Sequence, residues 1–175
     1  MEVEFDQTIE DFVNYNLYHM EHSRTIKRRI FTSRIIFAMM VILLSLVLLF
    51  LIERQINVMM VTISIIGAIF MYFIIPTIYK YNTLSNVRGM LKEADNKSIL
   101  GKRVLEISDK GIIYKNIAGE GSYNWQSIIR IEENDQYIFL YQSSTSAIIL
   151  PKRAFASIEE KKEFTSLLSE EIKRK

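Results

Sequence analysis

The sequence predicts a membrane α+β protein: a two-helix transmembrane hairpin, then a small antiparallel barrel closed by a C-terminal helix. Three observations carry this expectation. Two charge-free apolar runs lie five residues apart, basic residues flank the pair, and from Gly101 onward the apolar pattern changes to period two. Composition narrows the rest. Half of the 175 residues are apolar and only six are glycine, which excludes a disordered or collagen-like chain. A net charge of +2 implies no general polyanion surface, and nucleic acid is not an expected partner. With no cysteine, thiolate chemistry and cysteine-built zinc sites are excluded.

Residues 1–34 form a cytoplasmic arm in this reading. Glu2-Val3-Glu4-Phe5-Asp6 alternates as a half-buried strand does. Thr8 with Asp11 three residues later is a capping box, and Ile9, Phe12, Val13, Leu17 and Met20 then recur on one helical face. Nothing in the sequence breaks this helix before the membrane. His19 and His22, at i and i+3 beside Glu21, have a spacing that would suit a metal; two exposed histidines on an amphipathic helix account for them equally well, and no metal site is assigned. Six acids occupy residues 1–23, followed by the bases Arg24, Lys27, Arg28, Arg29 and Arg34.

The hairpin occupies residues 35–79, with spans at 35–52 and 58–75. Each run of 18 residues covers about 27 Å as a helix, near the hydrocarbon thickness of a bilayer. The short Glu53–Asn57 link forces the spans antiparallel. Bases before the first span, and Lys80, Arg88 and Lys92 after the second, outnumber Arg54 in the link, so both termini are expected in the cytoplasm. Ser64, Gly67 and Ala68, with Ser45 at similar depth, are the expected helix-packing residues, toward the other span or toward a second copy. Neither span holds an ionisable residue, which argues against an ion or proton path.

Residues 80–100 are expected to form a connecting helix, centred on 83–97. In residues 101–175, strands are expected at Lys102–Ile107 and Ile112–Ile117, joined by a turn in which Gly111 takes a positive φ. Gly119–Gly121 reads as a second turn. A strand through Tyr123 and Trp125 follows, then strands at Ile129–Glu132, Tyr137–Tyr141 and Ala147–Leu150. Ser157 and Glu160 box the start of a last helix whose stripe is Phe164, Leu167, Leu168 and Ile172. Trp125, Tyr137, Phe139, Phe155 and Phe164 are expected in the barrel core. Lys152-Arg153, after Pro151, is the one candidate contact for a lipid headgroup or an acidic partner, beside the simpler reading of a solvated loop.

The segments Tyr123–Ile128, Tyr137–Tyr141 and Ile149–Phe155, with the capped helix behind them, resemble the C-terminal domain of the YcxB-like family. The resemblance implies a bacterial membrane protein whose soluble part is similar to a pleckstrin-homology (PH) domain, without an established reaction, cofactor or catalytic residue. About six strands follow the membrane, whereas a PH barrel has seven. The lone strand Glu2–Asp6 is therefore expected to pair with the domain, with the arm helix and the 83–97 helix side by side as a stalk; the competing arrangement lays the arm on the bilayer and leaves the strand free. The sequence carries no P-loop, G-x-S-x-G, G-x-G-x-x-G or H-E-x-x-H motif, and the paired acids at 132–133, 159–160 and 170–171 fit solvated faces. The expected role is thus a non-catalytic, membrane-anchored interaction module acting on a protein partner or its own copy. The alternative is an immunity protein against a membrane-active bacteriocin or toxin.

Overall fold

A computed structural model describes residues 1–52 and 58–174. The chain divides into two compact units, Met1–Tyr15 with Val87–Lys175, and Asn16–Asn86. The first unit is therefore built from both ends of the chain, with residues 1–15 of the expected arm in it and residues 16–34 in the second.

That unit contains two antiparallel sheets. β1 (Glu2–Gln7), β2 (Gly101–Ser108), β3 (Gly111–Asn116) and β4 (Gly119–Asn124) form the first, in that order; β5 (Arg130–Glu133), β6 (Tyr137–Tyr141) and β7 (Ala147–Pro151) form the second. The two are separate sheets and do not close into one hydrogen-bonded barrel. α4 (Ile158–Lys173) follows, its start held by the Glu160 N–H on Ser157 Oγ at 3.1 Å and by Glu160 Oε2 accepting from the Ala156 N–H. Phe164 and Leu168 of α4 are buried against the sheets, while the side chain of Ile172 lies outside the described residues.

β1 settles the arm's position. Val3 pairs with Leu105 and Phe5 with Arg103, and both apolar side chains enter the core with Leu105, Ile112, Ile138 and Leu150. The alternation of acids and apolars in Glu2–Asp6 is what a strand with one solvated face requires. Pairing also gives β2 a neighbour on the edge opposite β3.

Gly111, at φ 149°, leads out of the turn after β2; a Cβ there would lie 2.0 Å from the Tyr123 carbonyl oxygen, so β4 approaches too closely for any other residue. The next turn, at 117–118, begins two residues earlier than expected. Asn116 Oδ1 accepts from the N–H groups of Ala118 and Gly119, and Gly119–Gly121 belongs to β4. β4 then stops at Asn124, whose Oδ1 accepts from the Ser127 N–H at 2.9 Å. This cap winds Trp125–Ser127 into a 3₁₀ turn where a strand was expected, because the asparagine side chain offers the backbone a local partner.

α1 (Ile9–His22) starts in its capping box: the Thr8 N–H donates to Asp11 Oδ2 at 2.8 Å, and the Asp11 N–H to Thr8 Oγ1 at 3.3 Å. Only Ser23 separates it from α2 (Arg24–Ile52), and backbone bonds from Ser23 to His19 and from Lys27 to Ser23 carry the helical ladder across. α3 runs from Val58 to Lys92 through Pro76, so the second span and most of the expected connecting helix are one element. Proline removes one ladder bond, and here the helix continues past it before a 3₁₀ stretch at Ala94–Ile99.

In the second unit, α2 and α3 are long and apolar enough to cross a membrane. Their Met39, Leu43, Phe50, Ile66, Phe70 and Phe73 side chains are exposed. The 53–57 link lies outside the described residues.

Candidate functional site

Lys152 and Arg153, the one basic pair that the sequence offered for a headgroup or partner, are engaged internally. Lys152 Nζ lies 2.5 Å from Glu133 Oε1. Arg153 donates from both Nη atoms to the two Asp11 carboxylate oxygens at 2.7 Å, and also to the Asp6 carbonyl oxygen at 3.0 Å. Asp11 is fully buried, and it accepts further from the Tyr137 hydroxyl at 3.0 Å, which in turn accepts from Asn14 Nδ2. The planar fork of Arg153 suits two parallel bonds to a carboxylate. This clasp ties the end of β1 and the start of α1 to the turn after β7. These contacts join parts of the domain far apart in sequence, while half of the Arg153 side chain stays exposed.

The electrostatics follow from that geometry. Burial pushes the Asp11 carboxyl up, but the bonds from Arg153, Thr8 and Tyr137 outweigh it and hold the group below its ordinary 3.8. A carboxylate depressed on folding contributes stability above its unfolded value, and that stability is lost as pH falls through the folded value. Asp11→Asn is accordingly expected to cost about 2 kcal/mol at neutral pH, less than the roughly 3–5 kcal/mol of a fully buried pair because Arg153 is half-exposed. The difference from the parent should vanish in denaturant melts taken well below pH 3.8. Equal cost at both pH values would remove the charge from the account.

The second constellation is polar and lies where the two sheets face each other. A cavity of about 250 Å³ is bordered by β1, the start of α1, β2, β3 and β7. Arg103, on the inner face of β2 with Leu105, is 3% exposed. One Nη donates to the Ser98 carbonyl oxygen at 2.8 Å, and the guanidinium lies 5.3 Å from the Tyr114 ring centre. The sequence does carry the signal: Arg103 is in phase with Leu105 and Ile107, as Gln7 is with Val3 and Phe5. Neither residue was singled out from the sequence.

The expected aromatic core divides in two. Trp125 is buried among Val3, Leu105, Ile128 and Phe164, with its indole N–H on the Ser108 carbonyl oxygen at 3.2 Å, and Phe155 packs edge-on to Phe164 at 5.2 Å. Tyr137 and Phe139 are not in that core. They stack on the opposite face of β6, with Tyr15 of α1 at 5.5 Å from Phe139, while Ile138 and Leu140 turn inward. The arm thus covers a second face of β6, which is why that strand is buried throughout.

In the second unit, an added Cβ at Gly67 would meet Val41 of α2 at 3.5 Å, an ordinary contact, and Ala68 is buried. Ser45 and Ser64 donate to Ile42 and Met60 carbonyls of their own helices. Arg34 sits 5.2 Å from the Tyr72 ring centre. His19 is buried, whereas His22 is exposed and stacked on Tyr18, with Nδ1 2.8 Å from the Tyr18 carbonyl oxygen. Among the described residues, no three His, Asp or Glu side chains are grouped to hold a metal.

Residues 107–168 match the family model of the YcxB-like protein, the family whose resemblance these strands and turns carry. The match begins at the end of β2 and so leaves out β1, both long apolar helices and Arg103. No curated protein and no solved structure matches the chain.

Proposed function

We propose that this protein is a non-catalytic, membrane-anchored interaction module, with a cytoplasmic PH-like domain that binds a protein partner or a second copy. The observation that carries the reading is the pairing of β1 with β2. These strands lie on either side of the apolar helices in sequence, so the segment between them starts and ends in one compartment and crosses a bilayer an even number of times. Two apolar helices with exposed flanks of large hydrophobics suit that requirement. The exposed cluster Arg24, Lys27, Arg28 and Arg29 favours the cytoplasm for the shared compartment. Among the described residues, seven strands in two sheets and a final helix match the strand number of a PH-like domain and so favour that reading. A rigid domain attached to the hairpin through both chain segments is suited to passing a binding event to two helices at once.

One experiment addresses both topology and role. The chain has no cysteine, so single cysteines can be placed at Gln55, in the link, and at Ser144, an exposed loop position of the domain. In intact cells the first is expected to react with an impermeant thiol reagent and the second to be protected; the reverse pattern overturns the topology. A photo-crosslinker on the thiol of Ser144→Cys in native membranes is expected to capture a discrete neighbour. An uncrosslinked monomer at native expression overturns the interaction role.

A further inference from the structure

The inter-sheet cavity contains an imbalance that its own walls do not resolve. Among the described residues, Arg103 Nε, Gln7 Nε2 and Gln142 Nε2 make no hydrogen bond, and all three atoms are buried. Arg103 is 97% and Gln7 98% removed from solvent, from exposures of 3% and 2%. All three residues line the one cavity. Buried donors are ordinarily satisfied, and a buried guanidinium is ordinarily paired with a carboxylate. Arg153 has Asp11; Arg103 has one carbonyl oxygen and an aromatic ring.

We propose that this cavity binds a small monocarboxylate, its carboxylate on Arg103 and the two glutamine amides, and its apolar body along Phe12, Tyr114 and Ile148. The lining chooses the ligand class. Arg103 is its only charged member among the described residues, so a single negative charge balances the site. A phosphate would bring a second charge into the same low-dielectric space with no base to meet it. The aromatic and aliphatic walls suit a hydrocarbon body, and the volume limits the ligand to a small molecule. Nothing in this assignment requires a protein partner, so it stands or falls separately from the interaction role.

The test uses the full chain in lipid nanodiscs, with butyrate, hexanoate and benzoate as probes, benzamide as the neutral isostere and inorganic phosphate as the alternative anion. Melting of the domain and calorimetric titration against empty nanodiscs are the readouts. A saturable rise in melting temperature is expected with at least one carboxylate, and none with benzamide or phosphate. Arg103→Met should still fold, since it removes an uncompensated buried charge, yet weaken carboxylate binding by roughly tenfold or more. Should that variant fail to fold, Gln142→Leu, at a half-buried loop position, carries the same expectation of weakened binding. The assignment is overturned if no carboxylate gives a saturable shift, if benzamide or phosphate does as well, or if affinity survives in the folded variant.

Discussion

Deleting residues 2–6 is expected to unfold the first unit even though the deletion lies far from residues 87–175 in sequence. The loss removes Val3 and Phe5 from the core, where they are 2% and 6% exposed. Burying two such side chains stabilises by about 1.5–3 kcal/mol each, before the cavity they would leave is counted. The ladder partners of β2 are lost with them, and the carbonyl of Asp6 no longer anchors Arg153. The sum is roughly 5 kcal/mol or more, which is the whole margin of many small domains. Limited proteolysis of the full chain in detergent provides the measurement, with cleavage between 87 and 175 expected to accelerate strongly. A truncated chain that resists protease like the parent would show that β1 is an accessory strand.

Trp125→Ala should cost about 3–5 kcal/mol, the range for emptying a large aromatic site. The indole is 7% exposed, belongs to the core cluster and donates its N–H to Ser108, so both packing and a satisfied polar group are lost. Trp125→Phe should retain much of the packing and lose only the hydrogen bond, falling between the two. As the chain's one tryptophan, it also reports on itself: the parent should emit as a buried indole and shift to the red on unfolding. Circular dichroism melts of both variants measure the cost. Parent-like melting of Trp125→Ala would place the indole outside the cooperative core.

Legibility in the sequence varied with how far each local signal agreed with its surroundings. The two apolar helices stood out because no polar periodicity competes with them over 35–52 or 58–75. Glu2–Asp6 was readable as a strand, and its pairing followed from the need of a lone strand for neighbours. β6 was harder. Tyr-Ile-Phe-Leu-Tyr is apolar at every position, so alternation cannot tell a core face from one covered by α1. Trp125 was misassigned to a strand because its apolar phase matched Tyr123, while the asparagine between them ended the ladder. The second span was bounded at 75 by its apolar composition, yet its helix runs on through Pro76 to Lys92, because one missing N–H does not outweigh the helical preference on either side. Lys152 and Arg153 attracted notice as adjacent charges, whereas their acidic partners lie 19 and 142 residues away along the chain. Arg103 escaped because a charged residue in a strand is usually assumed to face water.

The splitting of the first unit has a consequence for biosynthesis. β1 leaves the ribosome with its hydrogen-bonding edge unpaired, and its partner β2 follows only after both long helices have been made. At translation rates of about 5–20 residues per second, the interval for roughly 90 residues is on the order of 5–20 s. The first sheet therefore cannot form in N-to-C order, and an exposed strand edge persists throughout that time. In the topology proposed above, a hairpin misdirected at the membrane would leave β1 and β2 in different compartments, with no route to the native sheet. In that topology, insertion of the helices precedes the pairing of β1 with β2 and with it the completion of the first sheet.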